Sequence, residues 1–144
     1  MMIVHADRLC EELHAVLSVV EASLTRLKTV LTNTANNTEQ ELRQSLTMVE
    51  TAIEQNRAIV DAAHADFKQW FDEGQSETTE RIAEWKAKRQ TSKLHARADR
   101  FELSAAAAVV MGAAAMREAE REVLRALLMR KEAIAIQVQQ DKHP

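Results

Sequence analysis

Residues 13–46 read LHAVLSVVEASLTRLKTVLTNTANNTEQELRQSL and contain two apolar series separated by a short polar segment. In the first series the apolar positions recur in steps of three and four, the spacing of a coiled-coil contact line. This line extends toward the N-terminus and comprises Ile3, Ala6, Cys10, Leu13, Leu17, Val20, Leu24, Leu27 and Leu31. Leu9, Val16 and Val30 widen the apolar stripe on one side, which predicts that a third helix packs there. After the polar segment, Thr38 and Glu41 have the spacing of a helix-capping box. The sequence therefore predicts helices over 2–33 and 39–72.

The second helix carries a contact line of its own with the same spacing. It comprises Leu42, Leu46, Val49, Ile53, Asn56, Val60, Ala63, Phe67 and Trp70. If the two helices form an antiparallel hairpin, the numbers of facing residues sum to 73, so that Leu17 faces Asn56 and Leu24 faces Val49. Asn56 is the one polar residue in its line, and a buried Asn typically fixes the register of a coiled coil.

A second polar break at residues 72–76 precedes a long stretch without an evident loop. Its small and apolar positions keep the three-four spacing and comprise Leu94, Ala98, Phe101, Ala105, Ala108, Gly112, Ala115, Ala119, Glu122, Ala126, Met129, Ala133 and Ile136. Because the spacing continues through Gly112, we predict one unbroken helix over residues 77–140. The alternative is a helix that kinks or splits at Gly112. Residues beyond Gly112 either project past the hairpin, which we favour, or fold back as a fourth bundle helix.

The composition supports an all-α fold and a single helical domain over residues 1–144. The chain has two glycines, one proline and no tyrosine, too few turn-forming residues for a sheet or a glycine-rich phosphate loop. Cys10 is the only cysteine, and its place in the contact line, opposite Ala63, predicts a small buried side chain rather than a reactive thiol. One cysteine, no span long enough to cross a membrane and no secretory leader together indicate a cytoplasmic protein.

A repeated carboxylate-x-x-His pattern is the one candidate metal site in the sequence. Glu11 and His14 share one side of the first helix, and Asp61 and His64 occupy the same two heptad positions on the second. Antiparallel pairing would bring the two histidines together at one edge of the hairpin, where imidazole and carboxylate groups can bind zinc or iron. The alternative is a solvated edge, because such short polar spacings arise often in charged helices.

A basic cluster gives a candidate anion-binding face. It comprises Lys86, Arg89, Lys93, Arg97 and Arg100, which fall on one side of a helix. Such a stripe could bind phosphate groups. However, the second helix offers several carboxylates for pairing and the whole chain has a formal net charge of −3, so we favour intramolecular pairing over nucleic acid as a partner.

The small residues around Gly112 are the candidate oligomer interface. Ala105, Ala108, Gly112, Ala115 and Ala119 let two helix axes approach closely, and their pattern reads almost the same in both directions. This favours a homodimer, with a protein partner as a further option, and no residue constellation predicts a catalytic site. The sequence thus favours a non-enzymatic coiled-coil protein of assembly or protein-protein interaction. The alternative is a small helical-bundle metalloprotein that binds zinc or iron.

Overall fold

The computed structural model describes residues 2–142, with side chains from Arg8 onward. It contains four helices, α1 (Met2–Thr32), α2 (Glu39–Gly74), α3 (Thr79–Ala87) and α4 (Thr91–Lys142). No strand occurs among the described residues. The prediction of an all-α fold of helical-bundle type is therefore confirmed. No helix in this part of the chain is long and apolar enough to cross a membrane.

Contacts divide the chain into two compact units to which α1, α2 and α4 each contribute a segment. The first unit comprises Met1–Leu17 and Ala58–Gly112, and the second comprises Ser18–Arg57 and Ala113–Pro144. Each unit therefore joins residues that are far apart in the sequence.

The apolar core of the second unit joins α2 to the C-terminal half of α4. Leu42 and Val49 from α2 pack with Leu124 and Leu128 from α4, all at most 7 % exposed. Partly buried neighbours surround them, namely Val30, Leu46, Ile53 and Leu127. Each fully buried leucine contributes about 1.5–3 kcal/mol to the free energy of unfolding. The expectation that the chain projects beyond Gly112 is therefore wrong for the part of α4 that contains Leu124 and Leu128. In the last part of α4, over residues 133–142, every residue is exposed.

The buried side of α1 is rotated relative to the predicted contact line. Leu17, Leu24 and Leu31 are 50 %, 43 % and 54 % exposed, and Cys10 is exposed too, so the prediction that these positions are buried is wrong. The prediction holds for Leu13, Val20 and Leu27 of the same line, whereas Ile3 and Ala6 lie outside the residues whose side chains the structure describes. The other buried and half-buried positions of α1 are Leu9, Val16, Ser23 and Val30. In the second unit the physical reason is α4, because Ser23 donates a hydrogen bond to Glu120 of that helix.

The contact line predicted for α2 faces inward along the helix. All nine of its members are buried or half-buried. Asn56 does not use its amide to bond another helix, since its Nδ2 donates to the Ala52 carbonyl one turn earlier at 2.7 Å. The pairing of Asn56 with a residue of α1 stays a prediction.

The long third helix predicted over residues 77–140 is interrupted at Lys88–Gln90. The Gln90 amide donates to the Trp85 carbonyl and the Arg89 amide to the Lys86 carbonyl, the two bonds of a Schellman helix terminus. Arg89 has φ 53°, the left-handed conformation for which glycine is the usual residue. Because no glycine or proline marks this terminus, the sequence gives no signal for it. α4 continues through Gly112, as the unbroken three-four spacing predicts.

Candidate functional site

The predicted oligomer interface lies on the exposed side of α4. Its five members, Ala105, Ala108, Gly112, Ala115 and Ala119, are all exposed. A Cβ atom added to Gly112 would meet no other atom of the chain within 4 Å. Packing within the chain therefore does not explain why this position lacks a side chain.

Larger apolar residues continue this exposed side in both directions with the same three-four spacing. Phe101 precedes the small residues, whereas Met129 and Ile136 follow them, and these side chains are 58 %, 63 % and 54 % exposed. We call the complete series the α4 face; it comprises Phe101, Ala105, Ala108, Gly112, Ala115, Ala119, Glu122, Ala126, Met129, Ala133 and Ile136. Glu122 is its only charged member and is bonded to Arg121 and Arg125 of the same helix.

A buried polar cluster lies on the opposite side of α4, in the second unit. The Glu120 carboxylate accepts hydrogen bonds from Ser23 Oγ at 3.1 Å and from Arg26 Nε and Nη2 at 2.9 and 3.0 Å. Ser23 and Glu120 are only 1 % and 2 % exposed. The hydrogen bonds from Arg26 to Glu120 raise the pKa of this guanidinium further above its ordinary value.

Next to this cluster, an apolar groove separates α1 from α2 in the second unit. Its volume is about 400 Å³, and it is open to solvent. The apolar lining comes from three helices: Leu27, Val30, Met48, Val49, Ala52 and Leu124. Arg26, Arg117 and Glu120 supply its charged groups. The groove therefore has the character of a small-molecule site, largely apolar with a few polar groups at one side.

The four candidate metal ligands lie at the surface of the structure. Glu11, His14, Asp61 and His64 are all exposed. Within the part of the chain that the structure describes, no group of three or more His, Cys, Asp or Glu side chains could hold a metal ion. The hypothesis of a zinc or iron site on these residues therefore receives no support from the geometry.

The predicted basic face is divided between two helices and partly neutralised. Arg97 and Arg100 on α4 form ion pairs with Glu77, whose side chain is 8 % exposed. Lys86 lies on α3, Arg89 lies in the turn that follows, and Lys93 lies on α4 over the Trp85 ring at 5.7 Å. The expectation that this cluster is paired within the chain holds for the two arginines. Their partner is Glu77 rather than the predicted carboxylates of α2.

The same ion pairs border an aromatic pocket in the first unit. The pocket has a volume of about 260 Å³ and is lined by Trp70, Phe71 and Phe101, together with Glu77 and Arg100. The chain contains only three phenylalanines and two tryptophans, so three of its aromatic side chains meet here. The Arg97 guanidinium lies over the Phe101 ring, 4.8 Å from its centroid, so the positive charge of this ion pair lies against an aromatic surface.

Sequence reasoning missed the Ser23, Arg26 and Glu120 cluster. Ser23 interrupts the apolar positions of α1, and Glu120 lies outside the contact line assigned to α4. The sequence does indicate that Ser23 is buried, because Leu9, Val16, Ser23 and Val30 recur at the same heptad position. In the structure these four residues are buried or half-buried. No protein-family model matches this chain, and no curated protein or solved structure matches it either.

Proposed function

We propose that this chain is a non-enzymatic helical protein of assembly or protein-protein interaction that associates as a homodimer through the α4 face. The observation that carries the proposal is the exposure of every member of this face from Phe101 to Ile136. A continuous line of mostly small and apolar side chains at coiled-coil spacing that stays exposed in the single chain is typical of a helix contact surface.

The residue at the centre of the face supports a close contact. A glycine inside a helix costs about 1 kcal/mol relative to alanine. At Gly112 the chain itself has room for a Cβ atom, so intrachain packing gives no compensation for that cost. A second helix that crosses at Gly112 would compensate for this cost, because the missing side chain allows the two helix axes to approach to about 8 Å.

The pattern around Gly112 also favours a second copy of this chain as the partner. Ala105 and Ala119 each lie seven positions from the glycine, and Ala108 and Ala115 lie four and three positions from it. An antiparallel helix pair centred on Gly112 therefore places small residues opposite small residues. This is the self-complementarity that a two-fold interface requires. The single cysteine fits a reducing compartment such as the cytoplasm.

Light scattering coupled to size-exclusion chromatography tests the proposal. Wild-type protein at micromolar concentration is expected to have twice the mass of one chain. Ala115→Leu and Gly112→Leu place a bulky side chain in the contact and are expected to weaken association, with strain of about 1–3 kcal/mol. Ala96→Leu is the matched control, because Ala96 is an exposed alanine of α4 outside the face.

The outcomes separate the alternatives. A wild-type protein that is monomeric at the highest soluble concentration would exclude the homodimer. A wild-type oligomer that persists in both leucine variants would place the interface elsewhere on the chain. Equal weakening by Ala96→Leu would show that the effect comes from disturbed helix packing and not from the α4 face.

A further inference from the structure

The groove of the second unit contains an arginine whose charge the chain does not balance. Arg117 lines the groove beside Glu120. It makes no hydrogen bond or ion pair with any residue that the structure describes. Glu120 is not available to it as a free partner, because its two oxygens already accept three hydrogen bonds from Arg26 and Ser23. The groove therefore carries an excess positive charge at one side.

The rest of the groove is suited to a hydrocarbon chain. Its apolar surface comes from Val30, Val49 and Leu124, among others, and its volume of about 400 Å³ lies within the range of small-molecule sites. Met48 stands at the opening with 72 % of its surface exposed. A methionine side chain is flexible and polarisable, so it can pack over an apolar ligand of variable shape.

We propose that this groove binds an apolar carboxylate of the fatty-acid class. The hydrocarbon chain lies between α1 and α2 over Leu124, and the carboxylate pairs with the Arg117 guanidinium. A neutral lipid would bury the same apolar surface but leave Arg117 without a counter-charge. A cationic amphiphile would place a like charge beside two arginines, Arg26 and Arg117, of which Glu120 balances one. Charge complementarity thus selects an anion among apolar ligands.

The test is a titration of the full-length wild-type protein with decanoate, well below its critical micelle concentration. Methyl-labelled methionine gives a local readout by NMR, because Met48 lines the groove whereas Met129 is exposed on the α4 face. We expect decanoate to shift the Met48 methyl signal in a saturable manner and to leave that of Met129 unchanged. 1-Decanol at equal concentration is expected to bind at least tenfold more weakly.

Substitutions at two positions separate the charge from the shape of the groove. Arg117→Gln is expected to weaken decanoate binding about tenfold or more, as for the loss of a charge-assisted hydrogen bond, whereas Arg117→Lys keeps the charge and most of the affinity. Ala52→Leu fills the groove from α2 without touching Arg117 and is expected to abolish binding. The control Arg130→Gln removes an exposed arginine of α4 that does not line the groove and is expected to change nothing.

Specific results would overturn the proposal. These are equal affinities for decanoate and decanol, unchanged binding in Arg117→Gln, or a shift of the Met129 methyl in place of the Met48 methyl. If decanoate shifts the Met48 methyl signal in the monomer but not in the dimer, a helix of the second copy occupies the groove instead. None of the groove residues belongs to the α4 face, so failure of the dimer proposal leaves this test interpretable.

Discussion

Arg26 on α1 binds Glu120 on α4 through both oxygens of its carboxylate, across 94 positions of sequence. The Glu120 side chain is 3 % exposed, whereas the Arg26 side chain is 54 % exposed. Arg26→Ala is therefore expected to leave a buried carboxylate with Ser23 as its remaining partner. The free energy of unfolding should fall by about 1–3 kcal/mol in a urea titration.

A matched ion pair between α2 and α4 provides the control. Arg43 and Glu132 are also joined, but their side chains are 58 % and 41 % exposed. Arg43→Ala is expected to cost less than about 1 kcal/mol, because solvent screens exposed pairs. The combined change Arg26→Met and Glu120→Leu should restore most of the stability that Arg26→Ala removes. Equal losses in the two arginine variants would show that burial of Glu120 does not govern the effect.

Two leucines of α1 test the rotation of its buried side. Leu27 is 8 % exposed and Leu24 is 43 % exposed, although both belong to the contact line predicted from the sequence. Leu27→Ala is expected to lower the free energy of unfolding by about 2–5 kcal/mol. Leu24→Ala should lower it by about 1 kcal/mol or less. Comparable losses, measured at a concentration where the protein is monomeric, would contradict the rotated face.

These leucines show how far the sequence predicts the fold. Periodicity gave the helical class, the break before Thr38 and the inward side of α2, because one dominant apolar line occupies that helix. On α1 two apolar lines overlap, and Leu24 and Val30 belong to different ones. Periodicity indicates that a third helix packs on the side of Val30, but it does not show that this contact leaves Leu24 exposed. The burial of Glu120 was not predicted for the same reason, since a charged residue does not count among the apolar positions of a helix.

The turn between α3 and α4 gives a prediction about backbone conformation. Arg89 has φ 53°, whereas its neighbour Lys88 has φ −87°. Arg89→Gly should relieve the left-handed strain and raise the free energy of unfolding by about 1 kcal/mol. Lys88→Gly should instead lower it by about 0.5–1 kcal/mol, because glycine adds flexibility there and the exposed bond from Lys88 to Glu84 is lost. Thermal unfolding of both variants provides the measurement, and a lower melting temperature for Arg89→Gly would contradict the helix terminus described above.

Glu84 makes the stability of α3 depend on pH. Its hydrogen bond from Lys88, followed by the nearby positive charges, lowers the pKa of this carboxyl below its ordinary value. The folded state thus favours the ionised form, so the stabilisation is present above the ordinary glutamate pKa. It is lost as the pH falls through the lowered pKa. By NMR titration, Lys88→Met should raise the pKa of Glu84 toward its ordinary value. An unchanged pKa would rule out Lys88 as the main cause.

Gly112→Ala is expected to change chain stability and association in opposite directions. In the single chain the new methyl group meets no atom within 4 Å, so the helix should gain about 1 kcal/mol from the better helix-forming residue. In the proposed dimer the same methyl group enters the closest contact between two backbones and should weaken association. Gly74→Ala is the control, because Gly74 also has free space for a Cβ atom but ends α2 and lies outside the α4 face. Thermal unfolding at a concentration below the dissociation constant of the dimer measures chain stability. Light scattering over a dilution series measures association. If Gly112→Ala and Gly74→Ala both leave the dimer as tight as in wild type, the helices do not cross at Gly112, and the small residues around it would need another explanation.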